Sequence, residues 1–219
     1  LGGGRPVWNY LGTWDEQDIT RLGSAGIIED AICTTIAKAS SPWLVGYGFV
    51  QKRGLPGWSI ARYEGGADGV VEGDSRESFA GDRSMRIELS EPGRISAYQP
   101  GWVPVEPAAT YTFSCMVKES GVRPGRARIR LTFLTADGQG ASEPNTFYLD
   151  APGGTHNWVE LGRSGIVAPE DAKQVNVEAF LWGAQGRAWF DAMSLRLTRA
   201  GENLLENPGF ELEADPEQI

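Results

Sequence analysis

The sequence predicts an all-β protein, an antiparallel jelly-roll β-sandwich with a short helical N-terminal segment and an orphan C-terminal strand. Three observations lead there. Apolar and polar residues alternate with a period of two over long stretches. Turn sequences rich in Gly and Pro separate those stretches, in a chain of 219 residues with 29 Gly and 13 Pro. No helix-length apolar pattern lies between the alternating runs, which argues against parallel βαβ units and for a sandwich.

The elements follow in order, in three parts: 1–43, 44–198 and 199–219. In the first part, Thr13-Trp14-Asp15-Glu16 has the form of a capping box. A short helix to about Leu22 is expected, with Gly23 as its stop. Ile27, Ile28, Ala31, Ile32, Thr35, Ile36 and Ala39 recur at helical spacing and predict a second helix. Two short helices bury no core of their own, so this segment is expected to dock on the sandwich or on a neighbouring chain. From Trp58 the period changes to two. Tyr111, Phe113, Cys115 and Val117 form one inward set, and Ala127, Ile129, Leu131 and Phe133 a second. Val175, Val177, Ala179 and Leu181 form a third. Arg123-Pro124-Gly125, Ala136-Asp137-Gly138, Ala151-Pro152-Gly153-Gly154 and Gly183-Ala184-Gln185-Gly186 read as the turns between strands.

Composition narrows the function. The net charge of −9 argues against a nucleic-acid partner, which needs a basic face. No apolar run approaches the roughly 20 residues of a membrane span. The single histidine, His156, sits in the turn-like Gly-Gly-Thr-His-Asn and excludes a histidine-rich zinc site. Cys33 and Cys115 pair only if the N-terminal segment packs on the sandwich; otherwise they are buried thiols. No phosphate loop, zinc motif or nucleophile elbow is present, and no supported carboxylate pair stands out, so a non-catalytic role is expected.

Several motifs resemble one family. Asn203-Leu204-Leu205-Glu206-Asn207-Pro208-Gly209-Phe210-Glu211 is similar to the opening strand of carbohydrate-binding modules of the family 4, 9 and 22 type, which have a galactose-binding-like jelly roll. Pro56-Gly57-Trp58, Gly81-Asp82-Arg83-Ser84-Met85-Arg86-Ile87 and Pro107-Ala108-Ala109-Thr110-Tyr111-Thr112-Phe113 resemble its later strands. Trp189-Phe190-Asp191-Ala192-Met193-Ser194-Leu195 resembles its closing strand. A degraded copy of the opening motif, Leu44-Val45-Gly46-Tyr47-Gly48-Phe49-Val50, precedes the body. The chain therefore reads as one sandwich plus the first strand of a following module.

The resemblance implies a glycan or polysaccharide partner and an extracellular or surface location. A sugar-binding strip needs aromatic rings beside charged or amide groups on a wet face. Tyr98, Trp102, Arg130, Glu178 and Trp182 are the candidates. The resemblance also implies a structural calcium, with Asp191 at the closing-strand ligand position. One carboxylate is a poor start toward the roughly six oxygens that calcium takes. A second reading stays open: a structural subunit of an extracellular fibre or virion appendage. It would assemble as a homo-oligomer or filament through the N-terminal segment and complementation by the C-terminal strand.

Overall fold

The computed structural model describes residues 50–53, 55–64, 68–100, 102–198 and 201–212. The two expected helices, Cys33 and the motif copy before Val50 lie outside them. Nine strands follow one another: β1 (Val50–Arg53), β2 (Ser59–Glu64), β3 (Gly69–Asp74), β4 (Ser84–Tyr98), β5 (Val103–Pro104), β6 (Thr110–Leu134), β7 (Thr146–Asp150), β8 (Gly154–Val167) and β9 (Gln174–Leu197). All pairings are antiparallel except β1 beside β3. Among the described residues no helix is long and apolar enough to cross a membrane.

Two layers arise because β4, β6 and β9 are each long enough to serve both. The first half of β4 pairs with β3 and its second half with β2. The first half of β6 pairs with β8 and its second half with β7, while β9 runs beside β4 and β6 along their lengths. Laid straight, the 22 positions from Tyr111 to Phe133 in β6 would span about 70 Å. Their ring centroids are instead 6.0 Å apart. The strand folds over, and the halves face each other across one core. The core-facing sets are the three read from the alternation, and all twelve side chains are buried.

Segments that read as turns in the sequence prove to be corners inside continuous strands. Arg123-Pro124-Gly125 lies within β6 and Gly183-Ala184-Gln185-Gly186 within β9, with register shifts between Ser120 and Arg123 and between Leu89 and Arg94 of β4. The corner closes backbone on backbone. A Cβ at Gly186, where φ is +105°, would lie 2.5 Å from the Gly121 carbonyl oxygen, and one at Gly125 would lie 1.9 Å from that of Trp182. The amides freed there are met by buried Glu119, whose carboxylate accepts from the backbone N–H of Ala127 (2.9 Å) and Gly153 (2.7 Å). His156 is a strand residue at this corner, its Nε2 bonded to the same carboxylate and its Nδ1 to the Asn157 carbonyl.

The C-terminal segment departs from the orphan expected of it. Residues 203–212 turn back after β9 and complete the same sandwich. Leu205 and Phe210 are buried in the common core, and the Phe210 ring lies 5.2 Å from Trp58. Asn207 is the hub. Its Nδ2 donates to the Pro56 carbonyl (2.9 Å), its Oδ1 accepts from Leu212 N–H (3.2 Å), and its carbonyl accepts from Trp58 Nε1 (3.4 Å). The Gln99 side chain meets both backbone groups of Glu206. Glu211 accepts from the N–H groups of Asp82 and Arg83, against Gly81, where a Cβ would collide with its carboxylate at 2.1 Å. A segment with unpaired backbone is unstable in water; here its own chain supplies the partners.

Two expectations follow. Phe210→Ala lowers unfolding stability by about 3–5 kcal/mol in urea titration, whereas Leu212→Ala, at an exposed position, changes it by less than about 0.5 kcal/mol. Equal effects would mean the segment is not part of the fold. Cys115 is buried beside the carbonyls of Met116 and Asp191, and burial raises its pKa well above that of an ordinary thiol. In a Cys33→Ser chain, Ellman's reagent is therefore expected to react only after denaturation; rapid reaction in the native state contradicts the packing.

Candidate functional site

The candidate site is built by register. Residues paired across neighbouring antiparallel strands share a face, so the outer side of the β2–β4–β9–β6–β7 layer can be read as rows. Tyr98, Glu178, Arg130 and Tyr148 stand in one row across β4, β9, β6 and β7. Ser96, Phe180, Arg128 and Asp150 form the next, and Arg94, Trp182 and Arg126 the third. On the other side of the Tyr98 row, Asn176, Thr132 and Thr146 form a fourth. Rows on one face lie about 7 Å apart.

The rings and charges interlock. Phe180 is fully buried, with Tyr148 and Trp182 edge-on to it at 6.5 and 6.3 Å. Those two outer rings stay open to solvent, Tyr148 at 46% and Trp182 at 42% exposure. Guanidinium groups lie over them: Arg94 is 4.6 Å and Arg128 5.7 Å from the Trp182 centroid, and Arg128 is 5.0 Å from that of Tyr148. Glu178 is buried, ion-paired with Arg130 and 4.0 Å from Arg94. Asp150 accepts from Arg128 (3.0 Å) and pairs with Arg126 at 3.4 Å. Asn176 Oδ1 and Arg130 Nε are buried without a hydrogen-bond partner. The face thus combines open rings, fixed charges and unspent polar atoms.

Of the residues picked from sequence, the structure sets Tyr98, Glu178 and Arg130 in one row. Trp182 stands two rows away, about 13 Å along β9. Trp102 is separate. It sits after β4, where a Cβ on Gly138 would meet its ring at 2.3 Å, so it packs on the β6–β7 turn at the end of the layer. Sequence reasoning missed Arg94, Tyr148 and Asp150. Tyr148 and Asp150 alternate with Phe147 and Leu149, a signal that was available. Arg94 was hidden by Glu91-Pro92-Gly93, which reads as a strand end but lies within β4.

Asp191 belongs to the other layer and does not fit a calcium site. Its Oδ2 accepts from the N–H of Phe79 (2.7 Å) and Ala80 (3.0 Å), and its Oδ1 from that of Ala192 (2.6 Å). Burial raises its pKa, as does the negative charge of Glu211, against the lowering by those three amides. Among the described residues no group of three or more His, Cys, Asp or Glu is placed to hold a metal ion. Amide donors occupy the directions a cation would need.

No family model matches the sequence, and no curated protein matches it. Solved structures match the fold. The bacteriophage CBA120 tailspike protein 4 enzymatically active domain superposes with a TM-score of 0.53 at 12% identity, over 65% of this chain and 20% of that one. The CBM22-1–GH10 modules of Clostridium thermocellum xylanase 10B give 0.49 at 16% identity, over 70% of this chain and 28% of that one. The C-terminal family 22 carbohydrate-binding module of the same xylanase gives 0.47 at 16% identity, over 68% and 90%. The chain therefore spans a fifth to just over a quarter of the first two proteins it matches. What is shared is the β-sandwich fold.

The Glu178 pairing generates a stability test. Glu178→Gln keeps the volume but removes the charge facing Arg130, so unfolding stability falls by about 3 kcal/mol. The measurement is a urea titration at neutral pH. An unchanged midpoint would show that the pair does not hold the face together.

Proposed function

We propose that the outer face of the β2–β4–β9–β6–β7 layer binds a glycan, making the protein a non-catalytic carbohydrate-binding module. The observation that carries this reading is the placement of Tyr148 and Trp182, two exposed rings on adjacent strands of one sheet, among fixed arginine and carboxylate groups. A sugar ring offers apolar C–H faces to an aromatic platform and hydroxyls to charged and amide groups at its edge. Few surfaces in proteins offer both at once, and a large exposed ring costs hydration unless a ligand covers it.

Rigidity supports the same reading. Phe180 holds both outer rings from beneath, and the ion pairs hold the arginines, so little side-chain freedom remains to be lost on binding. Tyr98, Arg130 and Glu178 contribute the polar middle of the strip. Trp102 lies at its far end, where it would meet only a longer chain. A module of this kind acts outside the cell or on a surface, where polysaccharide is found.

A glycan array followed by calorimetry tests the proposal. Trp182→Ala and Tyr148→Ala are each expected to weaken binding by about tenfold. Phe79→Ala, which removes an exposed ring from the opposite layer, leaves it unchanged. Binding to no glycan, or equal loss in the Phe79 variant, would overturn the assignment.

A further inference from the structure

We infer that the glycan held on this face is an acidic one, a chain whose sugars bear carboxylate or sulfate groups. This rests on the glycan reading above and adds the chemical class of the ligand.

The charge pattern of the face is the starting point. Among its described residues, Arg94, Arg126, Arg128 and Arg130 face only Glu178 and Asp150. Four cations less two anions leave an excess of two positive charges. The chain as a whole carries −9. A protein that is acidic overall has gathered a positive excess where its exposed rings stand, and such a patch draws anions by field as well as by contact.

The arginines are also placed for recognition. Each carboxylate is shared: Glu178 between Arg130 and Arg94, and Asp150 between Arg128 and Arg126. A shared carboxylate cannot occupy the fork of both its partners, so N–H groups remain for a ligand. Arg126 is the most open, half exposed and held only at 3.4 Å from Asp150. It stands in the row of Trp182, with Arg94 on the ring's other side. A sugar stacked on Trp182 therefore has a guanidinium at each edge, where a carboxylate or sulfate substituent would project. Arg130 Nε, buried without a partner one strand away from Tyr148, adds a further donor. A neutral sugar covering the same face would desolvate these cations and return no charge to them.

The test uses chains that differ only in charge. Calorimetry with polygalacturonate and with its fully methyl-esterified form keeps the backbone and removes the carboxylates; xylan serves as an unrelated neutral chain. We expect polygalacturonate to bind at least about tenfold more tightly than its ester. The advantage should shrink between about 0.05 and about 0.5 M salt. Arg126→Gln should weaken binding of the acidic chain and leave the ester nearly unchanged, and Trp182→Ala should weaken both. Chondroitin sulfate and its desulfated form separate the two anions: retained binding after desulfation selects carboxylate, and lost binding selects sulfate. Equal affinity for polygalacturonate and its ester would overturn the acidic inference while leaving a glycan site. Binding of no chain would overturn both, and acidic binding that survives Trp182→Ala would reduce the face to a nonspecific charge.

Discussion

Three strands belong to both layers of this sandwich, and nearly everything else is arranged around that constraint. A strand shared by two sheets must cross between them without losing its partners on either side. β4, β6 and β9 cross together, side by side. The crossing is tight enough that Gly125 and Gly186 face carbonyls where no Cβ fits. Glu119, buried there, supplies acceptors for amides that the shifted register leaves unpaired. Because the halves are continuous, the alternation that fills the core in one layer sets which residues look outward in the other. The rows of rings and arginines inherit their alignment from this crossing.

Much of the fold was legible. A period of two with Val, Ile, Phe and Leu on one side marks a half-buried strand wherever it occurs, and the three core-facing sets were read correctly for that reason. The corners were not legible as corners. Gly-Ala-Gln-Gly and Arg-Pro-Gly carry the composition of chain reversals, and only the pairing partners distinguish a reversal from a crossing. The same ambiguity hid Arg94. Part of the strip could be found because Glu178 and Trp182 follow from the phase of β9. Trp102 could not be placed, since no alternating pattern extends to it.

The C-terminal segment shows how a motif can be recognised and still be placed wrongly. Asn-Pro-Gly-Phe-Glu opens a sandwich in the family it resembles, so at the end of a chain it reads as the start of something else. Packing decides otherwise. Phe210 and Leu205 fill space in the core beside Trp58, and Asn207, Gln99 and Glu211 satisfy backbone groups that solvent would otherwise have to meet. Phe210 adopts φ of +60°, a costly backbone state for an aromatic residue, and Asn207 adopts +43°. The burial of the ring offsets that cost. The groups that could have served strand exchange with another copy are used within the chain.

Function is concentrated where the layer's order and the chain's charge meet. Buried Phe180 sets the two open rings, and four arginines bound to two carboxylates set the field around them. The central claim is that this one face, and not the opposite layer, meets the ligand. Indole N–H resonances in a nitrogen–proton correlation spectrum test it directly, during titration with an acidic oligosaccharide. The account predicts that the Trp182 signal moves while those of Trp58, in the core, and Trp189, on the opposite layer, stay fixed. Movement of Trp189 with Trp182 unchanged would place the ligand on the other sheet and contradict it.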